Sequence, residues 1–204
     1  LYGRDGHDEV YGNDDDDAAN GGDGDDLIVG QSGNDLLVGA AGNDTIAGDA
    51  GQDIIYGGTG NDSLSGGSSG DFISGGVNND ILAGGDGNDE LAGGANNDSV
   101  MGGNGDDTIY GAKKVDTLEG GEGDDIVSGA ADNDFIDGNS GNDTLFGGRQ
   151  NDLITGGPGN DLFLYNKGGD YDVITDFTAG AGMEDVIQLN NFGVAFDSFA
   201  EIVA

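Results

Sequence analysis

The amino-acid sequence predicts an all-β solenoid, and a strict nine-residue repeat is the main observation behind that prediction. Residues 3–164 divide into 18 consecutive nonapeptide units without insertion or deletion, and residues 84–92 are a representative unit. Position one is Gly and position six is Asp in all 18 units. Position eight is Val, Ile, Leu or Phe in every unit except one, which has Ala19. A repeat held in phase for this length indicates structural units that stack on one another.

Each unit divides into a short strand and a turn. Positions seven to nine, for example residues 45–47, predict a strand in which the middle residue points inward between two outward neighbours. The Gly-rich remainder predicts a sharp turn, because Gly reaches positive φ without a Cβ clash. Position five is Asn in ten units. We attribute this preference to the tolerance of Asn for left-handed backbone conformations.

The invariant Asp residues require a counterion. Stacked turns of a parallel sheet lie ~4.8 Å apart, so equivalent carboxylates 18 residues apart would sit at roughly that spacing. Two such charges repel by ~0.9 kcal/mol in bulk water and by ~3.5 kcal/mol at an effective dielectric near 20. Summed along two rows, this repulsion exceeds the ~5–15 kcal/mol that holds a typical domain together. Carboxylate and carbonyl oxygens without His or Cys suit a hard, geometrically tolerant cation such as Ca²⁺.

The repeat resembles the RTX nonapeptide Gly-Gly-x-Gly-x-Asp-x-U-x, in which U is a large apolar residue. The resemblance extends over residues 3–164. It implies a right-handed parallel β-roll of about nine turns, with two nonapeptides in each turn. It also implies that calcium lies between the stacked Gly-Asp loops of successive turns.

The predicted calcium ligands are carboxylates at position six and backbone carbonyls of Gly at positions two and four. The carboxylates belong to Asp8, Asp17, Asp26, Asp35, Asp44, Asp53, Asp62, Asp71, Asp80, Asp89, Asp98, Asp107, Asp116, Asp125, Asp134, Asp143, Asp152 and Asp161. The carbonyls belong to Gly85, Gly87, Gly103, Gly105, Gly121, Gly123, Gly157 and Gly159. Nine loops on each side leave eight gaps per side, hence at most about 16 calcium ions if each gap holds one.

Composition predicts that folding depends on the metal. The 204 residues include 45 Gly and only 34% hydrophobic residues, and the net charge is -36. Without the repeat, these values would be typical of a disordered chain. One inward apolar residue per unit gives two thin rows of core, so we expect metal binding to supply much of the folding free energy. The acidity argues against nucleic acid or an anionic membrane as a partner, and the sequence has no hydrophobic run of membrane-spanning length.

The resemblance also predicts where the protein works. RTX proteins usually leave bacteria through a type I channel, so we expect an extracellular protein that folds at millimolar calcium. Folding outside the cell would aid secretion and stabilise an attached domain. The chain begins within a unit at Leu1 and lacks an initiator Met. We therefore expect a piece of a longer protein, in which an upstream domain is a candidate partner.

After the last unit the nine-residue frame ends, and residues 165–204 are predicted to form a C-terminal capping segment. Residues 171–177 and 185–189 are predicted to be strands on either side of a loop at 178–182. The sequence of this region resembles the cap of RTX and serralysin-type secreted proteins. Residues 198–201 form a capping box that predicts the start of a helix.

Odd- and even-numbered units are predicted to lie on opposite sides of the roll, and position four differs between the sides. In even units it is Gly except at Asp15 and Ser69. In odd units it is Gly as far as residue 60, and the later residues are Asn78, Asn96, Lys114, Asp132 and Gln150. Lys and Gln tolerate positive φ poorly, and Lys113 adds positive charge. We therefore expect fewer or weaker calcium ions on the odd side, with vacant gaps beside Lys114.

Several functions other than calcium-induced folding are open at this stage. Even units carry a stripe of outward apolar residues, which is typical of a covered or ligand-binding surface. An upstream domain or the chain's own tail would cover it; a glycan would instead stack on Tyr56, Phe72, Tyr110 and Phe146, as in alginate epimerase modules. An adhesin or ice-binding surface would need a regular outward row of one polar type, and positions seven and nine show none. The sequence has one His and no His-Glu-x-x-His or Gly-x-Ser-x-Gly motif, so we expect no catalysis from this fragment.

Overall fold

The chain forms two parallel β-sheets built from alternate strands. The computed structural model describes residues 1–166, 171–178 and 184–190. The described residues contain 21 strands, of which the odd-numbered ones form an 11-stranded sheet and the even-numbered ones a 10-stranded sheet. We refer to them as the odd-strand sheet and the even-strand sheet. This arrangement confirms the predicted all-β solenoid of about nine turns. No helix within the described ranges is long and apolar enough to cross a membrane.

Most strands have the same length, and the shorter ones lie at the two ends of the described chain. The odd-strand sheet contains β1 Tyr2–Asp5, β3 Ala18–Asp23, β5 Leu36–Ala41, β7 Ile54–Thr59, β9 Phe72–Val77, β11 Glu90–Ala95, β13 Thr108–Lys113, β15 Ile126–Ala131, β17 Thr144–Arg149, β19 Leu162–Asn166 and β21 Val186–Asn190. The even-strand sheet contains β2 Glu9–Asp14, β4 Leu27–Ser32, β6 Thr45–Ala50, β8 Ser63–Ser68, β10 Ile81–Asp86, β12 Ser99–Asn104, β14 Thr117–Glu122, β16 Phe135–Ser140, β18 Leu153–Thr155 and β20 Val173–Ile174.

The pairing register explains why the repeat tolerates no insertion. Paired residues of adjacent strands within the repeats lie 18 positions apart; Leu82, for example, pairs with Leu64 on one side and Val100 on the other. Because side chains alternate between the faces of a strand, a shift of one residue would turn every apolar side chain outward. Each nonapeptide therefore supplies half a turn, and two supply a full turn.

Most strands are longer than the sequence predicted. They run from position seven through position three of the next unit, as β10 does, and only β18 keeps the predicted three residues. The pairing skips position one, since Ala83 pairs with Met101 and the next pair is Gly85 with Gly103. Position two, next to this break, has a positive φ, which is 117° at Gly85. The turn proper is confined to positions four to six.

The core consists of the single apolar residue at position eight of each unit. Positions six, eight and one of the next unit all face inward, as Asp26, Ile28 and Gly30 do, because alternate residues of a strand share a face. All 18 position-eight side chains are buried, and Val10 in the first turn is the most exposed at 8%. The predicted pair of thin apolar rows is therefore present.

Beyond residue 164, two strands extend the sheets. β20 pairs in parallel with β18, and β21 pairs in parallel with β19. Phe177 packs against the core, with its ring centroid 6.2 Å from that of Phe163. Both strands are shifted or shorter than predicted, while residues 179–182 of the predicted loop and the predicted helix start at 198–201 lie outside the described residues. The division between a roll ending at 164 and a capping segment from 165 stays a prediction.

The outward apolar residues of the odd-strand sheet form separate patches. Leu36, Ile54 and Phe72 are neighbours on β5, β7 and β9, and the Tyr56 ring lies 5.8 Å from that of Phe72. The next strand interrupts this patch because β11 presents a charged and a small residue there. Tyr110 and Phe146 lie on β13 and β17. The prediction of one continuous stripe was therefore wrong.

We expect the core row to respond strongly to truncation. Leu118 is fully buried at 0% exposure, so Leu118→Ala should lower the free energy of unfolding by ~2–5 kcal/mol. The outward neighbour Thr117→Ala should change it by less than about 0.5 kcal/mol. Chemical denaturation in saturating calcium measures both variants. Equal effects would contradict the assignment of position eight to the core.

Candidate metal-binding loops

The turns at positions four to six stack on both edges of the roll. We call the turns of even-numbered units the even loop stack and those of odd-numbered units the odd loop stack. The N–H of Gly105 at position four donates to the carbonyl of Glu122 in the next turn, at 2.7 Å. The N–H of Ile126 donates to the Asp107 carbonyl of the preceding turn, at 2.9 Å. Bonds of this kind recur along each stack and hold consecutive loops in register.

The position-six Asp side chains form a hydrogen-bonded series along each stack, which we call the aspartate ladder. The N–H of Asp107 donates to Oδ1 of Asp125 at 2.8 Å, and the N–H of Asp125 donates to Oδ1 of Asp143 at 2.9 Å. From Asp26 onward these residues are at most 4% exposed, whereas the two in the first turn are half-buried. The structure thus brings all 18 predicted carboxylates into two continuous rows.

Two further carboxylates, which the sequence analysis missed, end the ladders. The N–H of Asp152 donates to Oδ1 of Asp172, and that of Asp161 donates to Oδ1 of Asp185, both at 3.0 Å. They sit 20 and 24 residues after their partners instead of 18. The sequence feature that could have identified both carboxylates is the tripeptide Asp-Val-Ile at residues 172–174 and 185–187. It has the Asp of position six and the apolar residue of position eight of a repeat unit.

The second carboxylate oxygen of the position-six Asp residues is buried and has no hydrogen-bond partner among the described residues. This holds for Oδ2 of 17 of the 18 position-six Asp residues, all except Asp17. At Asp125, Oδ2 lies beside Gly120 of the same unit, where an added Cβ would come closer than 3.0 Å. The invariant Gly at position one therefore leaves room for the carboxylate. A buried, unpaired carboxylate oxygen is costly unless a cation or a proton satisfies it.

Carbonyl oxygens of positions two and four point along the stack toward the next turn. An added Cβ on Gly103 would collide with the carbonyl of Gly85, and one on Gly105 would collide with that of Gly87. The same relation to the preceding turn is found at Gly121, Gly123, Gly157 and Gly159. These oxygens thus face the gap between consecutive loops, and Gly in the next loop keeps that gap open. Gly159 differs from the other position-four glycines because its φ is not in the left-handed region.

The donor set fits calcium better than a transition metal. No three His, Asp or Glu side chains converge on one point in the part of the chain that the structure describes. A cation would therefore be held by carboxylates from successive turns together with backbone carbonyls. Ca²⁺ accepts such mixed oxygen sets in flexible geometry, whereas Zn²⁺ and Cu²⁺ favour imidazole and thiolate.

A family comparison agrees with this chemistry. The RTX calcium-binding nonapeptide repeat (4 copies) matches residues 1–28, 29–64, 65–100, 84–113, 101–136, 110–145 and 137–172. The chain belongs to the RTX calcium-binding nonapeptide repeat family. RTX repeats bind calcium, and their β-roll is a structural fold. A comparison with curated proteins found no match. The family match does not support the glycan-binding or adhesin alternatives, and neither does the separation of the aromatic residues into patches.

Burial raises the pKa of the position-six carboxylates from Asp44 to Asp161 in this RTX roll. The pKa of Asp107 and Asp143 is raised to about 7 and that of Asp125 to about 6, chiefly because burial disfavours the charged form. The hydrogen bond from the backbone of the preceding ladder residue lowers each pKa, and neighbouring carboxylates raise it again. Without metal, the folded ladder therefore holds protons near neutral pH.

Position five has a role that differs from the predicted one. Its Asn residues are absent from the left-handed residues of the described chain, which lie at positions two and four. Instead, the side-chain oxygen of Asn43 accepts the N–H of Asn61 at 2.8 Å, and that of Asn61 accepts the N–H of Asn79 at 3.1 Å. Asn occurs there because its side-chain oxygen accepts a backbone N–H of the following turn. The explanation from left-handed conformation was wrong.

The expected avoidance of positive φ by Lys and Gln at position four was also wrong. Lys114, Asp132 and Gln150 have φ of 79°, 81° and 76°. The pairing of every loop with its neighbours imposes this conformation despite the residue preference. It is nevertheless distinct from that of the glycines, since φ is 123° at Gly105 and 130° at Gly123.

The pKa shifts predict that acid stabilises the metal-free roll. Folding raises the pKa of Asp107 and Asp143 to about 7 and that of Asp125 to about 6, from the ordinary value of 3.8, so the folded chain binds more protons than the unfolded chain between these limits. The free energy of unfolding must then fall as pH rises from about 4 to about 7. Circular dichroism of the calcium-stripped chain should show more β-structure at about pH 5.5 than at about pH 8.

The calcium-loaded chain is the control for this titration. It should lack that gain, because protons then compete with bound ions. A β signal that rises with pH in the calcium-stripped chain would contradict the assignment.

Proposed function

We propose that this chain is a calcium-dependent folding module of a secreted bacterial protein. It stays unfolded in the calcium-poor cytosol and folds outside the cell, where calcium is millimolar. The observation that carries the proposal is the set of 17 buried Oδ2 atoms without a partner. Such a set destabilises a metal-free fold at neutral pH and offers the same atoms to a cation.

The proposed calcium ligands are the 18 position-six carboxylates and the Gly carbonyls that face the gaps between loops. Bound calcium supplies positive charge and oxygen coordination to the buried carboxylates. About 16 ions would bring about 32 positive charges, close to the net charge of -36. The residues themselves position the donors, since from Asp26 onward Oδ1 of each position-six Asp accepts the N–H of the ladder residue in the preceding turn.

Linkage makes the proposed transition steep. A ligand that binds only the folded state stabilises it by ~2.7 kcal/mol per site at 100 times its Kd. Sites of modest affinity, summed over many gaps, therefore move the chain from unfolded to folded within a narrow calcium range. Each loop contacts only its neighbours, so an ion in one gap orders the donors of the next gap.

The secretion role follows from this switch. An unfolded acidic chain is suited to passage through a type I channel, as the family implies, and folding on the outer side opposes its return. A folded roll then stabilises a domain attached to it. We assign the chain to the extracellular space and give it no catalytic step, because the RTX roll is a structural calcium-binding fold.

Calcium titration tests the proposal directly. Circular dichroism should show an unfolded chain in chelator and a cooperative gain of β-structure toward millimolar Ca²⁺. Mg²⁺ at the same concentration should be a poor substitute, because it demands tighter octahedral geometry and gives up water reluctantly. A chain that kept its full β signal in chelator at pH 8 would overturn the proposal.

Single carboxylates should differ in a predictable way. Asp125 is buried and accepts the N–H of Asp107, so Asp125→Ala removes ligands from the gaps on both sides. We expect the calcium midpoint of folding to rise roughly three- to tenfold, which is about 0.7–1.4 kcal/mol. Asp14 lies at the exposed end of β2, outside the ladder, and Asp14→Ala is the matched control with little expected change. Equal midpoints for the two variants would contradict the ligand assignment.

A further inference from the structure

Three loops of the odd stack are tied together by side chains at position four. The Asp132 carboxylate lies between its two neighbouring turns and bonds to both. Its Oδ1 accepts the side-chain N–H of Gln150 at 2.9 Å, and its Oδ2 accepts the backbone N–H of Lys114 at 3.1 Å. Gly occupies all three equivalent positions in the even loop stack, at residues 105, 123 and 141, and no side chain exists there to make such bonds.

The backbone of the same three loops differs from that of the matched glycine loops in the even stack. In the even stack, an added Cβ on Gly123 would collide with the carbonyl of Gly105. In the odd stack Asp132 carries a Cβ and a carboxylate at the corresponding place, where the glycine loops have no side chain. The φ values are 76° to 81° at these three residues, against 123° to 149° at the three matched glycines.

Positive charge gathers at the same edge of the roll. Lys113 ends β13, Arg149 ends β17, and Lys114 follows Lys113 directly. These three residues are the majority of the 5 Lys and Arg residues in the chain. They lie within three consecutive turns of one loop stack, where they offset part of the carboxylate charge that calcium balances elsewhere.

We propose that the two gaps between the loops of Lys114, Asp132 and Gln150 are closed by these side chains and hold no calcium. The inference rests on the proposed calcium-dependent folding and refines it. The full complement is then about 14 ions, since two of the ~16 gaps use a side-chain tie in place of a metal. The two sides of the roll differ in metal content along these turns.

Restoring Gly tests the inference. The triple variant Lys114→Gly, Asp132→Gly, Gln150→Gly removes the tie and should gain about two ions per chain, counted by native mass spectrometry in saturating calcium. Lys113→Gly is the matched control, because it removes a neighbouring charge without changing position four. It should leave the count unchanged. An unchanged count in the triple variant, or one ion in every gap of the unmodified chain, would overturn the inference.

The reciprocal transplant places the same three residues in the even stack. Gly105→Lys, Gly123→Asp, Gly141→Gln should lose about two ions. If the transplant does not fold, the count for the Gly-restored variant decides the matter. The proposed function fails separately, through a chain that shows no calcium-dependent gain of β-structure. The present inference fails when the chain folds with calcium but the Gly-restored variant binds no more of it.

Discussion

The hydrogen bond from each ladder Asp N–H to the carboxylate one turn later is the interaction on which the rest of the structure depends. It turns the Asp side chain inward, engages Oδ1, and leaves Oδ2 beside the position-one glycine. Position one must be Gly because the carboxylate occupies the space of its side chain. The 18-residue register must be exact, because a slip would separate donor from acceptor along the entire stack. The nine-residue repeat in the sequence therefore reflects this one hydrogen bond, which forms once in every unit.

Burying that series has an electrostatic consequence that the apolar core does not offset. Each unit after the first two contributes one buried apolar residue and one buried carboxylate, so hydrophobic and ionic burial rise together along the chain. Desolvation raises the pKa of the carboxylates toward neutrality, and the metal-free fold must either take up protons or retain repelling charges. A cation resolves this conflict without changing any residue. The proposed calcium dependence of folding therefore follows from the burial of these carboxylates.

The residues that repeat in phase were assigned correctly from the sequence, whereas strand length, the backbone at position four and the ends of the ladders were not. Gly, Asp and the apolar residue were assigned correctly because each holds one position in phase. Strand length was underestimated, since Gly-Gly pairs such as 84–85 suggest a turn although both belong to β10. Lys114 was misjudged because its neighbours above and below impose the left-handed backbone. Asp172 and Asp185 were missed because longer connections displace them from the nine-residue frame.

The direction of the ladder gives the roll two chemically unlike ends. Every buried Asp N–H takes its acceptor from the turn that follows, so deleting the final turn would strand buried donors. Deleting the first turn would free carboxylate oxygens that water or a cation can solvate. In the position-five series the backbone N–H donates to a side-chain oxygen of the preceding turn, which is the opposite direction. These groups are exposed, so water can replace a partner that is lost. The two ends of the solenoid therefore differ. A further turn at the C-terminal end supplies acceptors to buried N–H groups, whereas loss of a turn at the N-terminal end exposes only carboxylate oxygens that water or a cation can solvate.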